Sequence, residues 1–396
     1  MTATPAAARA GADACPGALQ THPAADGALA RVRVPGGLLT AAKLRALAAA
    51  ARALGDGALE LTSRGNVQLR GLAPEAEADL GDRLAATGLL PSATHERVRN
   101  VLASALTGRT GGHLDARPWV RGLDAALCGD PALAALPGRY LATLDDGRGD
   151  VTGLGGDVGL LALSPETVAL TLAGADSGLR ATPDRAVALA LAATRAFLDE
   201  RGAQGGTAWR LAELNEGPTR VAARLDLTAA GGLRRAEVPA DGLPRAGVPG
   251  PVGSAVQDDG RVALVGVVPL GRLSADQADL LARVTAEVQL TPWRSVVVPD
   301  LAEDAVDDVA VALHRTGVVF DAESPWTRVT ACAGRPGCAK SLADVRADAA
   351  RAVATGALPA GGARQHWAGC ARRCGRPRGE VVDVVATGTG YLIGEA

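Results

Sequence analysis

Four cysteines stand in two tight pairs near the end of the chain, Cys332-x5-Cys338 and Cys370-x3-Cys374, with 31 residues between the pairs. Thiolates are soft donors that suit iron–sulfur clusters, zinc and copper. Structural zinc favours shorter Cys-x2–4-Cys knuckles, and neither pair is a Cys-x-x-Cys redox motif. The spacing therefore points to a cluster held by all four, with structural zinc and unliganded thiols as the other readings. Arg335 lies inside the first pair, and Arg372, Arg373, Arg376 and Arg378 surround the second. A centre carrying four thiolates is anionic. Guanidinium groups offset such charge and bind carboxylates in bidentate fashion, which makes Arg372 and Arg376 candidate substrate-binding residues; a solvated basic loop is the plainer alternative. Cys128 ends an apolar helical stretch and reads as a buried small residue, and Cys15 lies in a turn, Asp-Ala-Cys-Pro-Gly.

The elements that must position these residues are repeated. Leu29 to Thr40 reads as a strand ending at Pro-x-Gly, followed by a helical stretch and a Leu-Thr strand, Leu59 to Arg70. Val262 to Ser274 leads in the same way through a helix over 274–288 into Val288 to Val298. Thr40 and Ser274 are the expected N-caps of helices of about 12–15 residues. The segments after the two copies also match: Arg99 to Ser104 echoes Arg328 to Cys332, Arg139 to Gly147 echoes Gln365 to Arg373, and Asp150 to Leu161 echoes Val381 to Leu392. The chain reads as a duplicated two-part unit in which only the second copy has the paired cysteines. The seam is the Gly/Pro-rich stretch from Ala229 to Gly260. Strands alternate with helices, a strong helix is expected over 183–200, and the class is α+β with mixed sheets. Arg31 and Arg33 sit two apart on an expected strand, so both face one side; they are candidates to hold substrate carboxylates, or a plain solvated face.

Composition sets the outer limits. The chain has 396 residues, enough for several subdomains, and a formal net charge of −2, so no global basic field argues for nucleic acid. No apolar run reaches the length of a membrane span, and Met1 to Ala14 has no signal-peptide core. A cytoplasmic protein with free, metal-binding or reactive thiols is expected. The glycine-rich Gly153 to Gly159 lacks dinucleotide spacing and reads as a strand-turn, so no nicotinamide site is expected.

The cysteine pattern, with Gly-Cys-Ala-Arg-Arg-Cys-Gly-Arg-Pro around its second pair, resembles the sulfite and nitrite reductase superfamily, and the likeness runs from about Cys15 onward. It implies an α+β, internally duplicated fold of ferredoxin-like half-domains plus two nitrite/sulfite reductase-type α/β domains. The expected boundaries are a disordered arm over 1–14, a half-domain over 15–90, a reductase-type domain without cluster ligands over 91–235, a second half-domain over 236–315, and a [4Fe–4S]-binding domain over 316–396. The four cysteines match the cluster ligands. Thr62-Ser-Arg-Gly-Asn-Val-Gln68 matches a strand whose arginine faces the tetrapyrrole and substrate, which gives Arg64 that place and makes Asn66 and Gln68 substrate-binding candidates. Arg99-Asn100 matches a second anion-binding arginine and its neighbour. Leu136 to Leu141 matches the segment that supplies two lysines in true reductases, and here Arg139 and Leu141 replace them. Leucine supplies neither charge nor proton to a small oxyanion.

Within the superfamily, the shorter length and the Ala-Cys15-Pro-Gly opening are most similar to the precorrin-3B synthase family. That likeness implies O2-dependent hydroxylation of a precorrin in aerobic cobalamin biosynthesis, with lactone formation. It also implies electrons from an external donor such as a ferredoxin or reductase, and no nucleic-acid or membrane partner. The tetrapyrrole is then substrate rather than bound sirohaem. A non-haem iron would fit the oxygen chemistry, and His113-Leu-Asp115 has a suggestive spacing, but each histidine alone reads as a surface or packing residue. The alternatives are an assimilatory sulfite or nitrite reductase with sirohaem, and a non-enzymatic electron-transfer or sensor module.

Overall fold

The structure, a computed structural model, describes residues 15–225, 234–235 and 250–395. The expected arm over 1–14 and much of the seam lie outside the described residues. The chain divides into two compact units, one of Met1–Pro16, Arg33–Gly37 and Pro91–Val248, the other of Gly17–Val32, Leu38–Leu90 and Pro249–Ala396.

The chain opens with β1 (His22–Ala24), β2 (Gly27–Val32), β3 (Leu38–Thr40), α1 (Ala41–Leu54), β4 (Ala58–Leu61), β5 (Val67–Leu72) and α2 (Ala76–Ala86). The middle of the chain forms β6 (Val101–Ala103), α3 (Arg117–Gly129), β7 (Ala142–Asp145), β8 (Val158–Ser164), β9 (Thr167–Leu172), β10 (Ala175–Ala181), α4 (Ala186–Ala203), α5 (Gly217–Arg224) and β11 (Arg234–Arg235). The repeat then returns as β12 (Gly253–Val256), β13 (Val262–Val267), β14 (Arg272–Ser274), α6 (Ala275–Val284), β15 (Glu287–Leu290), β16 (Ser295–Leu301) and α7 (Val306–Arg315). The cysteine region closes the chain with β17 (Val329–Ala331), α8 (Val345–Ala354), β18 (Gln365–Ala368), β19 (Val382–Ala386) and β20 (Tyr391–Glu395).

Within the second unit the two copies exchange strands. One sheet runs β1-β2-β5-β4-β14 and the other β12-β13-β16-β15-β3, so each is completed by a three-residue strand from the other copy. Leu273 lies opposite Leu59, and Leu39 opposite Val288. Both expected caps form. The Thr40 hydroxyl accepts from Lys43 N, and Ser274 makes a full capping box with Gln277, each worth about 1 kcal/mol. α1 buries Leu44, Leu47, Ala48 and Ala51, the spacing of one helical face, and packs on α6. Burial of a leucine in such a face stabilises by roughly 2 kcal/mol. α6 has 10 residues and stops at Val284, well short of the 288 expected, because Glu287 already pairs with Thr40 in the exchanged strand.

The other repeated part is a sheet that begins with three parallel strands. β6, β7 and β8 are parallel and β9 returns antiparallel; β17, β18 and β19 are parallel and β20 returns antiparallel. The strands correspond, but the expected register of the third pair is displaced: Asp150 to Gly156 is a turn before β8, whereas Val382 already begins β19. The buried Asp145 carboxylate folds that turn by accepting from the backbone N–H of Gly149, Val151 and Thr152. Among the described residues no helix is long and apolar enough to cross a membrane.

Candidate functional site

The four cysteines all belong to the second unit, and Cys332 and Cys370 follow the neighbouring parallel strands β17 and β18. β17 delivers Cys332 directly after Ala331, and Ala331 lies opposite Trp367 on β18, which delivers Cys370. Cys332 N donates to Trp367 O at 3.0 Å, and Gly369 N donates to the Cys332 sulfur at 3.2 Å. A Cβ on Gly369 would lie 1.9 Å from Ser341 Oγ, so the approach of the two loops needs glycine there. Cys338 O accepts from Ser341 N, and Cys370 O from Arg373 N.

Cys332, Cys338 and Cys370 are half-buried and Cys374 is exposed. The Cys374 thiol is pushed up by burial, then by Cys332, Cys370 and Cys338, with Arg372 acting in the opposite direction. The other three cysteines therefore all lie within electrostatic reach of Cys374. Among the described residues no three His, Cys, Asp or Glu side chains converge on one metal ion. Four thiolates are the soft donor set that a polynuclear iron–sulfur centre takes, one at each iron. The donor set fits a [4Fe–4S] cluster.

Charged residues of the second unit fasten these loops by their carbonyls. Arg70 on β5 donates to Gly337 O at 2.6 Å and makes a bidentate pair with Asp26. Arg346 on α8 donates to Cys332 O at 3.2 Å and to Glu60 at 2.6 Å. Glu60, buried on β4, also lies 3.9 Å from Arg70 and 3.7 Å from Arg272, and it accepts from Gln68. His366 is fully buried on β18; its Nδ1 meets Thr330 Oγ1 at 3.0 Å and its Nε2 meets Cys374 O at 3.1 Å. A carbonyl only accepts, so Nε2 carries the proton. Burial, then Arg294, pushes His366 down to about 4, which keeps it neutral at pH 7. Arg294 itself is held down to about 10, first by the protein atoms that enclose it and then by Arg346.

None of Glu60, Arg70, Arg294, Arg346 or His366 was singled out by sequence for such a role. One signal was present: Glu60 stands between Leu59 and Leu61 in a strand whose four residues are all buried, and a charge in such a place needs partners.

The arginines expected at the site fall into two groups. Arg31 is half-exposed and meets the Gln68 carbonyl oxygen through Nε at 3.1 Å, which links it through Gln68 to Glu60. Arg64 is half-exposed on a turn held by Thr62 Oγ1, which accepts from Arg64 N and Asn66 N; Asn66 is buried. Arg372 is exposed beside Cys374. In the first unit Arg139 is exposed and lies 4.9 Å over the Trp209 ring.

The others are engaged in the scaffold. Arg33 follows β2, which ends at Val32; its side chain is buried and donates to Arg97 O and Pro16 O. Arg99 is buried in a bidentate pair with Asp124 at 2.6 and 2.7 Å. Asn100 holds Gly138 O at 3.0 Å. Arg376 pairs with Asp383 and donates to Val381 O. Leu141 is 3% exposed, and the whole chain has two lysines, Lys43 and Lys340, neither in the 136–141 segment.

Residues 22–87 and 255–315 match the family model of the nitrite/sulfite reductase ferredoxin-like half domain. A precorrin-3B synthase of Sinorhizobium sp. is 29% identical over 96% of this chain and 81% of its own length. A ferredoxin–nitrite reductase of Synechococcus elongatus is 27% identical over 90% of this chain and 75% of its own. The solved structure of the Mycobacterium tuberculosis NirA protein shares the fold, with a TM-score of 0.73 and 22% identity over 93% of this chain and 73% of that one.

Proposed function

We propose, from the two matches to the nitrite/sulfite reductase ferredoxin-like half domain and the likeness to a precorrin-3B synthase along nearly the whole chain, that the protein is a precorrin-3B synthase-type oxidoreductase of the nitrite/sulfite reductase superfamily with a [4Fe–4S] cluster on Cys332, Cys338, Cys370 and Cys374. The reaction inserts one atom of O2 into precorrin-3A as a hydroxyl, with lactone formation. The other atom leaves as water, using two electrons and two protons from outside. When bound, the cluster passes single electrons from an external donor such as a ferredoxin or reductase.

The chain's own residues would do the rest. Arg31, Arg64 and Arg372 are cationic and not fully buried, suited to the acidic side chains of a precorrin. Gln68 orients Arg31, and the Thr62 turn orients Arg64. Arg33, Arg99, Asn100 and Arg376 hold backbone or carboxylates and act as scaffold.

The observation that carries this reading is the 136–141 segment. A reductase of small oxyanions needs cationic proton donors at the reacting oxygen. Here Leu141 is buried and the segment holds no lysine. The experiment is anaerobic purification followed by an absorption spectrum, then incubation with precorrin-3A, a reductant and 18O2. A broad cluster shoulder and one 18O in the product are expected. Sirohaem bands with sulfite or nitrite turnover would refute the reading.

A further inference from the structure

The turn between β15 and β16 repeats the turn between β4 and β5 bond for bond. Thr62 N donates to Asn66 O at 2.9 Å and Gly65 N to Thr62 O at 3.1 Å; Thr291 N donates to Ser295 O at 3.0 Å and Arg294 N to Thr291 O at 3.2 Å. Both turns need a left-handed residue at the same place, with φ 63° at Gly65 and 59° at Arg294. Glycine adopts this conformation freely, whereas arginine is strained in it. Strain kept at one residue marks a side chain whose placement matters.

Its surroundings say what that placement serves. The stem passes over Gly271, where a Cβ would come within 2.6 Å of Arg294 Cδ. The guanidinium donates to Gly375 O, next to Cys374, at 3.3 Å. Among the described residues four arginines gather around Glu60: Arg70 has Asp26, Arg272 has Asp56, Arg346 has Glu60, and Arg294 has no carboxylate within ion-pair distance. One half-buried cation is thus in surplus. A charge taken partly out of water calls for a partner, and the loop its guanidinium reaches is that of Cys374.

We propose that Arg294 is the counter-charge of the cluster, a fixed cation that favours the cluster's reduced form. This rests on the reading of the four cysteines as cluster ligands. One-electron reduction, with dithionite as donor, adds a negative charge to the cluster, and a nearby cation stabilises that state more than the oxidised one. Arg294 therefore raises the midpoint potential.

The test is a mediated redox titration of the iron-loaded full chain, followed by EPR of the reduced cluster, with no substrate present. Arg294→Gly restores the glycine of the first copy, so it relieves strain and folds. Arg294→Met keeps the stem without the charge, and Arg294→Lys keeps the charge. A more negative midpoint in the Gly and Met variants, with the Lys variant near wild type, is the expected result. Unchanged midpoints in Gly and Met would overturn the proposal, as would a Lys variant displaced as far as Met, which would assign the effect to packing. Loss of iron in both neutral variants with a loaded Lys variant would overturn it in favour of a role in cluster assembly. Wild-type protein without iron would instead defeat the cluster reading itself, an outcome that iron analysis separates from the others.

Discussion

Replacing Glu60 by glutamine should destabilise the second unit and loosen the Cys332 loop. The substitution keeps shape and removes charge. Glu60 is 6% exposed, and its carboxylate meets Arg346 at 2.6 Å, Arg272 at 3.7 Å and Arg70 at 3.9 Å. Removing one partner of a buried ion pair costs about 3–5 kcal/mol, because the other charge is left uncompensated. Here the cost is smaller, since Arg70 retains Asp26, Arg272 retains Asp56, and Arg346 is one-fifth exposed and still reaches Cys332 O. We expect about 2–3 kcal/mol. With a urea m-value of roughly 2–3 kcal/mol/M, the midpoint of that unit should fall by about 1 M. Tryptophan fluorescence reads it, because Trp293, Trp326 and Trp367 lie in the second unit. The double variant Glu60→Gln/Arg346→Gln should recover about 1–2 kcal/mol relative to the sum of the single variants. An unmoved midpoint, or strict additivity, would show that Glu60 does not tie β4 to the cysteine loops.

Three further outcomes can be checked. Cys374→Ser should abolish iron binding and the visible absorption of the anaerobic protein; iron content equal to wild type would contradict the ligand set. Arg372→Gln, a change at an exposed residue, should raise KM for the precorrin with little effect on cluster content, and an unaltered KM would remove Arg372 from the substrate site. In the first unit, burial and then Asp145 push Asp150 up to about 7. A carboxyl raised in the folded state binds more protons there than in the unfolded chain, so stability is greatest below about pH 4 and declines as pH rises to 7, by roughly 2–4 kcal/mol. Asp150→Asn should therefore raise the unfolding temperature at pH 8 and leave it nearly unchanged at pH 4; parallel pH profiles would refute this.

The duplication and both helix caps were legible in the sequence because each rests on short-range rules. Thiol spacing is a local pattern, and Thr40 and Ser274 cap through hydroxyls that reach only three residues ahead. The end of α6 was misplaced because the strand that stops it pairs with Leu38 to Thr40, more than two hundred residues away. No local preference encodes that exchange.

The arginines divide in the same way. Sequence alone determined that arginines stand beside the paired cysteines and that a strand–helix–strand unit recurs. Only the tertiary structure decided which guanidinium meets which carboxylate. It gave Arg99 to Asp124 and Arg33 to backbone carbonyls, made Glu60 the partner of Arg346, and left Arg294 half-buried without a carboxylate within ion-pair distance. The physical reason is that charge pairing depends on distance and burial, and both are set by chain segments that meet in space rather than in sequence.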